Sequence, residues 1–180
     1  MNLNDIAAQV GDGSIPPVHL WHPEHCGKID IRIDRNGHWY HEGEEIKRPA
    51  LVRLFASVLW FENGCYYLKT PVEQMEIKVE LEPVLIVDAE QKDDNWYFET
   101  QFGEVLLLSD THPMGIRAVG TEIFPRIRVR YDLWGMLERN LYYRLVDCAD
   151  KVEDRQNRLV ELILKSDQKT WVLGSYMEED

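Results

Sequence analysis

Cysteine is scarce in this chain, and the few thiols that are present are scattered. The 180 residues include Cys26, Cys65 and Cys148, with no Cys-x-x-Cys pair among them. An odd number of unpaired cysteines is typical of proteins from a reducing compartment. The N-terminal residues also lack the basic and apolar regions of a secretory leader. We therefore expect a cytoplasmic protein.

Long apolar runs and an excess of positive charge are also missing. The longest apolar stretch, residues 51–61, is interrupted by Arg53 and Ser57 and is too short to span a bilayer. The chain carries 20 Lys and Arg against 32 Asp and Glu, and both halves are acidic. Binding to a nucleic-acid polymer requires a positive surface. The expected partners therefore include neither nucleic acid nor a membrane, and the sequence identifies no protein partner.

Assembled catalytic motifs are lacking as well. The sequence contains no Gly-x-Ser-x-Gly segment and no glycine-rich phosphate loop between a strand and a helix. His19, His22, His25 and Cys26 have the spacing of metal ligands on a helix, but prolines on both sides favour an extended backbone. We therefore expect no catalytic residues, no metal and no cofactor. A hydrolase or metal enzyme around Cys26 is the alternative.

What the sequence does contain is ample material for a core. Hydrophobic residues make up 44% of the chain and aromatic residues 11%, so a folded protein is expected. Residues 28–34 alternate isoleucine with charged residues, which predicts a half-buried strand. The Asp-Arg-Asn-Gly segment that follows favours a turn with a glycine bulge, which would place Trp39 on the isoleucine face. A two-residue Asn-Gly turn would instead place Trp39 beside Arg32.

Helices are predicted over residues 2–10, 49–60 and 132–138. The second begins with a proline, is followed by Asn63-Gly64, and is so apolar that it must be largely covered. Further strands are predicted over residues 65–70, 76–82, 85–88, 96–101, 104–109, 126–131, 141–146, 159–165 and 170–174.

These elements predict an antiparallel α+β fold made of two tandem sheet-plus-helix units that arose by internal duplication. Residues 1–17 would form an N-terminal helix and loop. The first α+β repeat would cover residues 18–90, and the second residues 91–180.

Two segments that resemble each other suggest the duplication. Residues 48–55 and 130–137 share the pattern Arg-x-x-Leu-x-x-(Leu/Met)-(Phe/Leu), and each is followed by a Tyr-Tyr pair, Tyr66-Tyr67 or Tyr142-Tyr143. Both segments are predicted to place their arginine just before a helix. A helix N-terminus with an adjacent cation favours an anion.

The sequence does not identify the group that would occupy such an anion site. Arg126, Arg128 and Arg130 share one strand face, where three like charges require compensation. A salt-bridge ladder to acids of a neighbouring strand would provide it, as would a bound anion. The occupant near a helix could equally be a carboxylate of the chain, such as that of Glu73.

At these residues the chain resembles the bacterial family known as domain of unknown function 1285 (DUF1285). The shared segments are Trp21-x-Pro23-x-x-Cys26-Gly27-x-Ile29-Asp30-Ile31-Arg32-Ile33, Asn36-Gly37-x-Trp39-Tyr40-x-x-Gly43, Ile46-x-Arg48, Leu51-Val52-Arg53-Leu54-Phe55-Ala56-Ser57, Tyr67-x-x-Thr70-Pro71-Val72-Glu73, His112-Pro113, Val129-Arg130-x-x-Leu133 and Arg139-x-x-Tyr142-Tyr143-x-Leu145-Val146. The chain departs from the family pattern where Gln74 replaces a lysine, which removes a cation, and where Trp134-Gly135 replaces Glu-Ala.

The resemblance implies a duplicated two-part α+β fold whose second half is superficially similar to pleckstrin-homology-like domains. It also implies a site between the halves for a nucleotide-like molecule and a role in signalling. We therefore expect a non-enzymatic module that binds a small anionic ligand between its two repeats, with a protein-interaction scaffold as the alternative. The residues expected to bind the ligand are Arg32, Arg48, Arg53, Thr70, Glu73, Arg130 and Tyr142.

Overall fold

The structure is a computed structural model that describes residues 15–154 and 156–177. The chain divides into an N-terminal unit, Met1–Pro83, and a C-terminal unit, Val84–Asp180. The sequence analysis places this boundary after residue 90, which lies within a strand of the C-terminal unit. The helix predicted over residues 2–10 lies outside the described residues. Within them, no helix has the length and apolar character that crossing a membrane requires.

The N-terminal unit contains a six-stranded sheet and one α-helix among its described residues. A 3-10 helix, Val18–Leu20, is followed by β1 (His25–Ile33), β2 (Trp39–His41), β3 (Glu44–Glu45), α1 (Pro49–Ser57), β4 (Leu59–Glu62), β5 (Cys65–Lys69) and β6 (Glu73–Val79). The strand order is β3-β2-β1-β6-β5-β4. Two antiparallel three-stranded meanders meet where β1 runs parallel to β6. The sheet is therefore mixed, and the prediction of a purely antiparallel sheet is wrong.

The turn between β1 and β2 confirms the glycine-bulge prediction. Gly37 has a φ of 78°, and its N–H donates to the Asp34 carbonyl at 3.1 Å. Trp39 consequently pairs with Ile33 and is buried on the same side of the sheet as the isoleucines. There it stacks on Phe55 of α1, with 6.3 Å between the ring centroids.

The helix predicted over residues 49–60 is shorter in the structure. α1 ends at Ser57, and the next residues form β4. Asn63 and Gly64 have φ values of 52° and 81°, so they form the two-residue turn of the β4–β5 hairpin. An Asn-Gly pair is compatible with both a helix end and a hairpin turn, and the pairing of β4 with β5 selects the hairpin.

The C-terminal unit contains a second six-stranded sheet, a three-stranded sheet and one α-helix among its described residues. Its elements are β7 (Val84–Lys92), β8 (Asn95–Thr100), β9 (Val105–Leu107), β10 (Met114–Val119), β11 (Glu122–Arg130), β12 (Leu133–Leu137), α2 (Arg139–Cys148), β13 (Asp150–Asp154), β14 (Leu159–Ser166) and β15 (Lys169–Met177). The strand orders are β10-β11-β12-β7-β8-β9 and β13-β14-β15. The strands predicted over residues 159–165 and 170–174 correspond to β14 and β15, which belong to the smaller sheet. Leu162 and Leu173 of that sheet share one core with Phe98 of the larger sheet.

Two predictions for the C-terminal unit are wrong: one predicted helix is a strand in the structure, and one predicted strand is a helix. The helix predicted over residues 132–138 is largely strand β12, and the strand predicted over residues 141–146 lies in α2. A Cβ added at Gly135 would lie 2.7 Å from Ile86 Cδ1, so this glycine permits close packing in the sheet. On α2, Leu141 and Leu145 are buried one helical turn apart. That spacing is the helical signal that the alternating-strand interpretation missed.

The two six-stranded sheets share one topology. Counted from its other edge, the second sheet is β9-β8-β7-β12-β11-β10, which repeats β3-β2-β1-β6-β5-β4 with every strand number raised by six. β7 runs parallel to β12 as β1 does to β6. The repeat agrees with the prediction of one unit built twice. The helices occupy different places in the chain. α1 connects β3 to β4, between the two meanders of the first sheet, whereas α2 comes after β12, the last strand of the second sheet.

Candidate functional site

The start of α1 concentrates positive charge. Arg48 is the N-cap residue, with an extended backbone, and Pro49 begins the helix. The first turn contains no acidic residue and no side chain caps it. Arg48 and Arg53 are both exposed. Because a helix N-terminus carries partial positive charge of its own, the Arg48 guanidinium and the helix end reinforce each other.

The side chains of Arg48 and Arg53 differ from those of the other described arginines. Each of the others has a hydrogen bond, an ion pair, a ring contact or another electrostatic interaction. Within residues 15–154 and 156–177, the Arg48 and Arg53 guanidinium groups have none. They are therefore the arginines with the most freedom to bind an external anion.

Two further predicted site arginines lie against acids of their own unit. The Arg32 guanidinium donates to Glu80 and lies 4.2 Å from the centroid of the Tyr40 ring. Arg130 Nη1 donates to both carboxylate oxygens of Glu104, at 2.7 and 3.1 Å. Arg130 also ends β11 and is followed by β12, so the prediction that it precedes a helix is wrong.

The other arginines of β11, Arg126 and Arg128, contact an aromatic ring and backbone carbonyls. The Arg126 guanidinium lies 4.3 Å from the centroid of a Trp134 ring. Arg128 donates to the backbone carbonyls of Asp110 and Thr111. These contacts fix the two side chains to the protein surface.

Thr70 and Glu73 form the turn between β5 and β6. The Thr70 hydroxyl accepts the N–H groups of Val72 and Glu73 at 3.3 and 3.1 Å, and it contacts the Glu73 carbonyl at 3.2 Å. Thr70 is buried and Glu73 is half-buried. The threonine hydroxyl therefore holds the turn in shape.

Tyr142 lies on α2 rather than on a strand. Its ring centroid is 5.8 Å from that of Tyr143, and it packs on the core of the C-terminal unit. The strand predicted over residues 141–146, which includes this pair, is therefore wrong. Tyr66 and Tyr67 do lie on a strand, β5, as predicted.

The histidines near Cys26 are dispersed over the 3-10 helix, the following segment and β1. Cys26 and the three histidines are exposed. In the part of the chain that the structure describes, no three His, Cys, Asp or Glu side chains could hold a metal ion together.

A buried cation that the sequence analysis missed lies on β5. Lys69 is only 5% exposed, and its Nζ lies 4.4 Å from the centroid of the Trp60 ring. Burial lowers the pKa of Lys69, and the negative charge of Glu62 opposes that shift. The residue opposite Lys69 on β6 is Gln74, which is also buried. A lysine in a sequence is typical of an exposed position, so no sequence signal indicated this burial.

Comparison with curated proteins finds one distant relationship. Over 157 residues the chain is 27% identical to a Staphylococcus aureus protein named 2-[(L-alanin-3-ylcarbamoyl)methyl]-3-(2-aminoethylcarbamoyl)-2-hydroxypropanoate synthase. The alignment covers 79% of this chain and 25% of the synthase. The chain thus spans about a quarter of that protein, whose name describes its own activity.

Solved structures and family models give closer matches. The crystal structure of a DUF1285 family protein from Silicibacter pomeroyi is 33% identical, with a TM-score of 0.84 over 95% of this chain and 93% of that one. A DUF1285 family protein from Shewanella baltica is 28% identical, with a TM-score of 0.53 over 65% of this chain and 90% of that one. Residues 16–81 match the N-terminal domain of unknown function DUF1285, and residues 83–173 match the C-terminal domain of DUF1285 proteins of unknown function. As its sequence motifs predict, the chain belongs to the DUF1285 family.

Proposed function

We propose that this protein is a non-enzymatic module that binds a small anionic, nucleotide-like ligand through Arg48 and Arg53 of α1, in a signalling or regulatory role. The observation that carries the proposal is the exposure of these two guanidinium groups without a partner among the described residues. The regulatory part rests on the family resemblance alone.

The acidity of the chain strengthens the argument. With 32 acidic and 20 basic residues, an exposed arginine has many potential carboxylate partners. The other described arginines find partners of some kind, whereas Arg48, at the start of α1, and Arg53, in the middle of α1, stay exposed. The first turn of α1 contains no acidic residue. Such a helix end presents unbonded N–H groups and positive potential to an anion. Guanidinium groups match phosphate and carboxylate oxygens with paired hydrogen bonds.

The remaining predicted residues would contribute in different ways. A ligand that reaches Arg32 has to compete with Glu80, so this arginine is a secondary candidate. Thr70 supports the turn that leads into Glu73.

A thermal-shift titration with nucleoside phosphates and sugar phosphates tests the proposal. We expect at least one compound to raise the melting temperature of the wild type in a saturable manner. Arg48→Ala and Arg53→Ala should each weaken the apparent affinity by roughly 10- to 150-fold, because a hydrogen bond to a charged group is worth about 1.5–3 kcal/mol.

Arg35→Ala is the matched control. Arg35 is an exposed arginine of the same unit, on the turn after β1, so its loss changes the net charge equally and should leave the affinity unchanged. If no compound shifts the wild type, or if Arg48→Ala and Arg53→Ala bind as tightly as Arg35→Ala does, the proposal is wrong.

A further inference from the structure

β13 forms one edge of the three-stranded sheet in the C-terminal unit. Its neighbour in the strand order is β14, and among the described residues no strand pairs with its other side. It is also the longest described strand of which every residue is exposed, from Asp150 to Asp154. The backbone N–H and C=O groups along the free side of an edge strand can pair with a strand of another chain. β13 is therefore an open edge that a further strand could extend.

The charge sequence of β13, Asp-Lys-Val-Glu-Asp, is complementary to itself. When two copies of one strand pair antiparallel about a two-fold axis, residues equally far from the axis on its two sides lie opposite each other. With the axis at Val152, Lys151 of each copy lies opposite Glu153 of the other, and the two Val152 side chains meet at the centre. Opposite charges at directly opposed positions stabilise an antiparallel pair. Val152, which is 46% exposed, would be covered by its own counterpart.

The charge pattern also disfavours the neighbouring symmetric registers. An axis at Lys151 would place the two Lys151 ammonium groups opposite each other, and an axis at Glu153 would do the same with two carboxylates. Like charges directly opposite each other destabilise a strand pair. The side chains of β13 therefore select the register centred on Val152.

The groups that form the two cross-strand pairs can accept a further partner. Within residues 15–154 and 156–177, the Lys151 ammonium makes no ion pair and no hydrogen bond. Glu153 has an interaction in its own chain, but a carboxylate accepts several donors at once. The second copy would thus give Lys151 the carboxylate that its own chain does not supply.

The Val152 register also brings Asp150 opposite Asp154 of the second copy, and groups of the same chain already hold both carboxylates. The Lys165 ammonium lies 2.8 Å from Asp150 Oδ2. Asp154 Oδ2 accepts a hydrogen bond from the Asn157 side-chain amide at 2.7 Å. The nearby cation and the amide donor reduce the repulsion between the two carboxylates, and salt screens exposed charges further. The ends of the strand therefore oppose the pairing only weakly.

We infer that β13 pairs with β13 of a second copy of this chain, so that two three-stranded sheets join into one across a two-fold axis at Val152. The pairing lies in the C-terminal unit, so it is independent of the ligand proposed for Arg48 and Arg53 of the N-terminal unit. Two strands of five residues bury less surface than the roughly 1,200 Å² at which stable interfaces begin. The dimer is therefore weak and forms at high protein concentration.

Sedimentation equilibrium from about 10 µM to about 1 mM protein, in about 0.15 M salt, tests this pairing. We expect the wild type to show a monomer–dimer equilibrium. Lys151→Glu and Glu153→Lys should each weaken the dimer by roughly tenfold or more, because each substitution turns both attractive cross-strand pairs into repulsive ones. The two substitutions change the net charge of the chain in opposite directions, so general repulsion between acidic chains cannot explain a loss that both share.

An equal mixture of the two variants tests the register. In the mixed dimer, the two carboxylates of the Lys151→Glu chain lie opposite the two ammonium groups of the Glu153→Lys chain. We therefore expect the mixture to associate within about threefold of the wild-type affinity, although each variant alone does not. Lys92→Glu is the matched control, since it makes the same charge change as Lys151→Glu at an exposed position at the end of β7. It should leave the wild-type dimer unchanged.

Three results would overturn the inference. The wild type could remain monomeric up to the highest concentration, either single variant could associate as strongly as the wild type, or the mixture could associate no better than its components. The second result would place any dimer contact outside β13. None of these results bears on nucleotide binding, which the thermal-shift titration measures separately.

Discussion

Gly135 is the position where one added methyl group should destabilise the C-terminal unit most clearly. It lies in β12, at the centre of the second sheet, between β11 and β7. A Cβ added there would lie 2.7 Å from Ile86 Cδ1 and 3.2 Å from Val129 Cγ2. Carbon atoms in favourable contact are about 3.5–4.0 Å apart. The methyl group would therefore overlap Ile86 by roughly 1 Å, and Ile86 is fully buried.

The net cost of Gly135→Ala should be about 1–2 kcal/mol. Overpacking a well-packed core costs about 1–3 kcal/mol, whereas replacing glycine by alanine stabilises by about 0.4–1 kcal/mol through the unfolded chain. The second effect applies because Gly135 is not among the residues with positive φ. The free-energy cost of the steric overlap is larger than the stabilisation that comes from the lower entropy of the unfolded chain, so Gly135→Ala is destabilised.

Urea denaturation followed by circular dichroism measures this cost, and a double-mutant cycle tests its cause. Ile86→Val removes the Cδ1 atom that the methyl group would meet, at a cost of about 0.5–1.5 kcal/mol by itself. In the double variant the alanine methyl fills part of that space. The combined loss should therefore be smaller than the sum of the single losses by about 1 kcal/mol.

Gly115→Ala is the control for this cycle. Its added Cβ would meet the Trp134 ring at 3.1 Å, but Gly115 lies on the edge strand β10, and the Trp134 side chain is only partly buried. It should cost less than Gly135→Ala. Wild-type stability in Gly135→Ala, or strict additivity with Ile86→Val, would refute the packing argument.

Two further predictions concern charge. The hydrogen bond from Arg144 lowers the pKa of Asp88, so this pair stabilises the fold above the ordinary carboxyl pKa and loses that contribution as the pH falls through the lowered value. Because both side chains are more than half exposed, Arg144→Ala should lower the free energy of unfolding by less than about 1 kcal/mol at neutral pH. Urea denaturation at neutral and acid pH should show that the stability difference between the wild type and Arg144→Ala vanishes in acid. Burial lowers the pKa of Lys69 in the folded protein. The Lys69 amine therefore binds a proton more tightly in the unfolded chain than in the folded one. The free-energy penalty of burying the charged ammonium diminishes as the pH rises toward 10.5, the ordinary pKa of lysine. The stability of the wild type relative to Lys69→Met should therefore increase between neutral and alkaline pH, and a pH-independent difference would show that Lys69 is not desolvated.

The sequence predicts those parts of the fold where the local pattern and the burial of apolar side chains favour the same structure. The alternating residues 28–34 and the glycine-bulge turn place Trp39 correctly, because a one-residue shift would expose an indole that only the core can cover. Asn63-Gly64 is ambiguous, since it suits a helix end as well as a hairpin. β12 and α2 are exchanged in the prediction because β12 owes its form to the strands on both sides of it, a tertiary effect that propensity does not contain.

The candidate sites show the same contrast between local patterns, which the sequence contains, and tertiary contacts, which it does not. That Arg48 begins a helix could be predicted from the proline after it. Whether an arginine is neutralised depends on what lies next to it in space, and the sequence does not contain the ion pair of Arg130 with Glu104, 26 positions away. The burial of Lys69 depends on neighbouring strands as well. Sequence patterns therefore locate charges on elements, whereas the pairing of those charges is a property of the fold.

The shared topology of the two sheets changes the meaning of the repeated arginine pattern. Matching the strands in order makes β7 the equivalent of β1 and β12 the equivalent of β6. Arg48 precedes the second meander of its sheet, so its equivalent position lies between β9 and β10, where no helix is found in the described chain. Arg130 instead ends β11, the equivalent of β5. The similarity of residues 48–55 and 130–137 is therefore not a structural correspondence, and a site that requires α1 exists once in each chain.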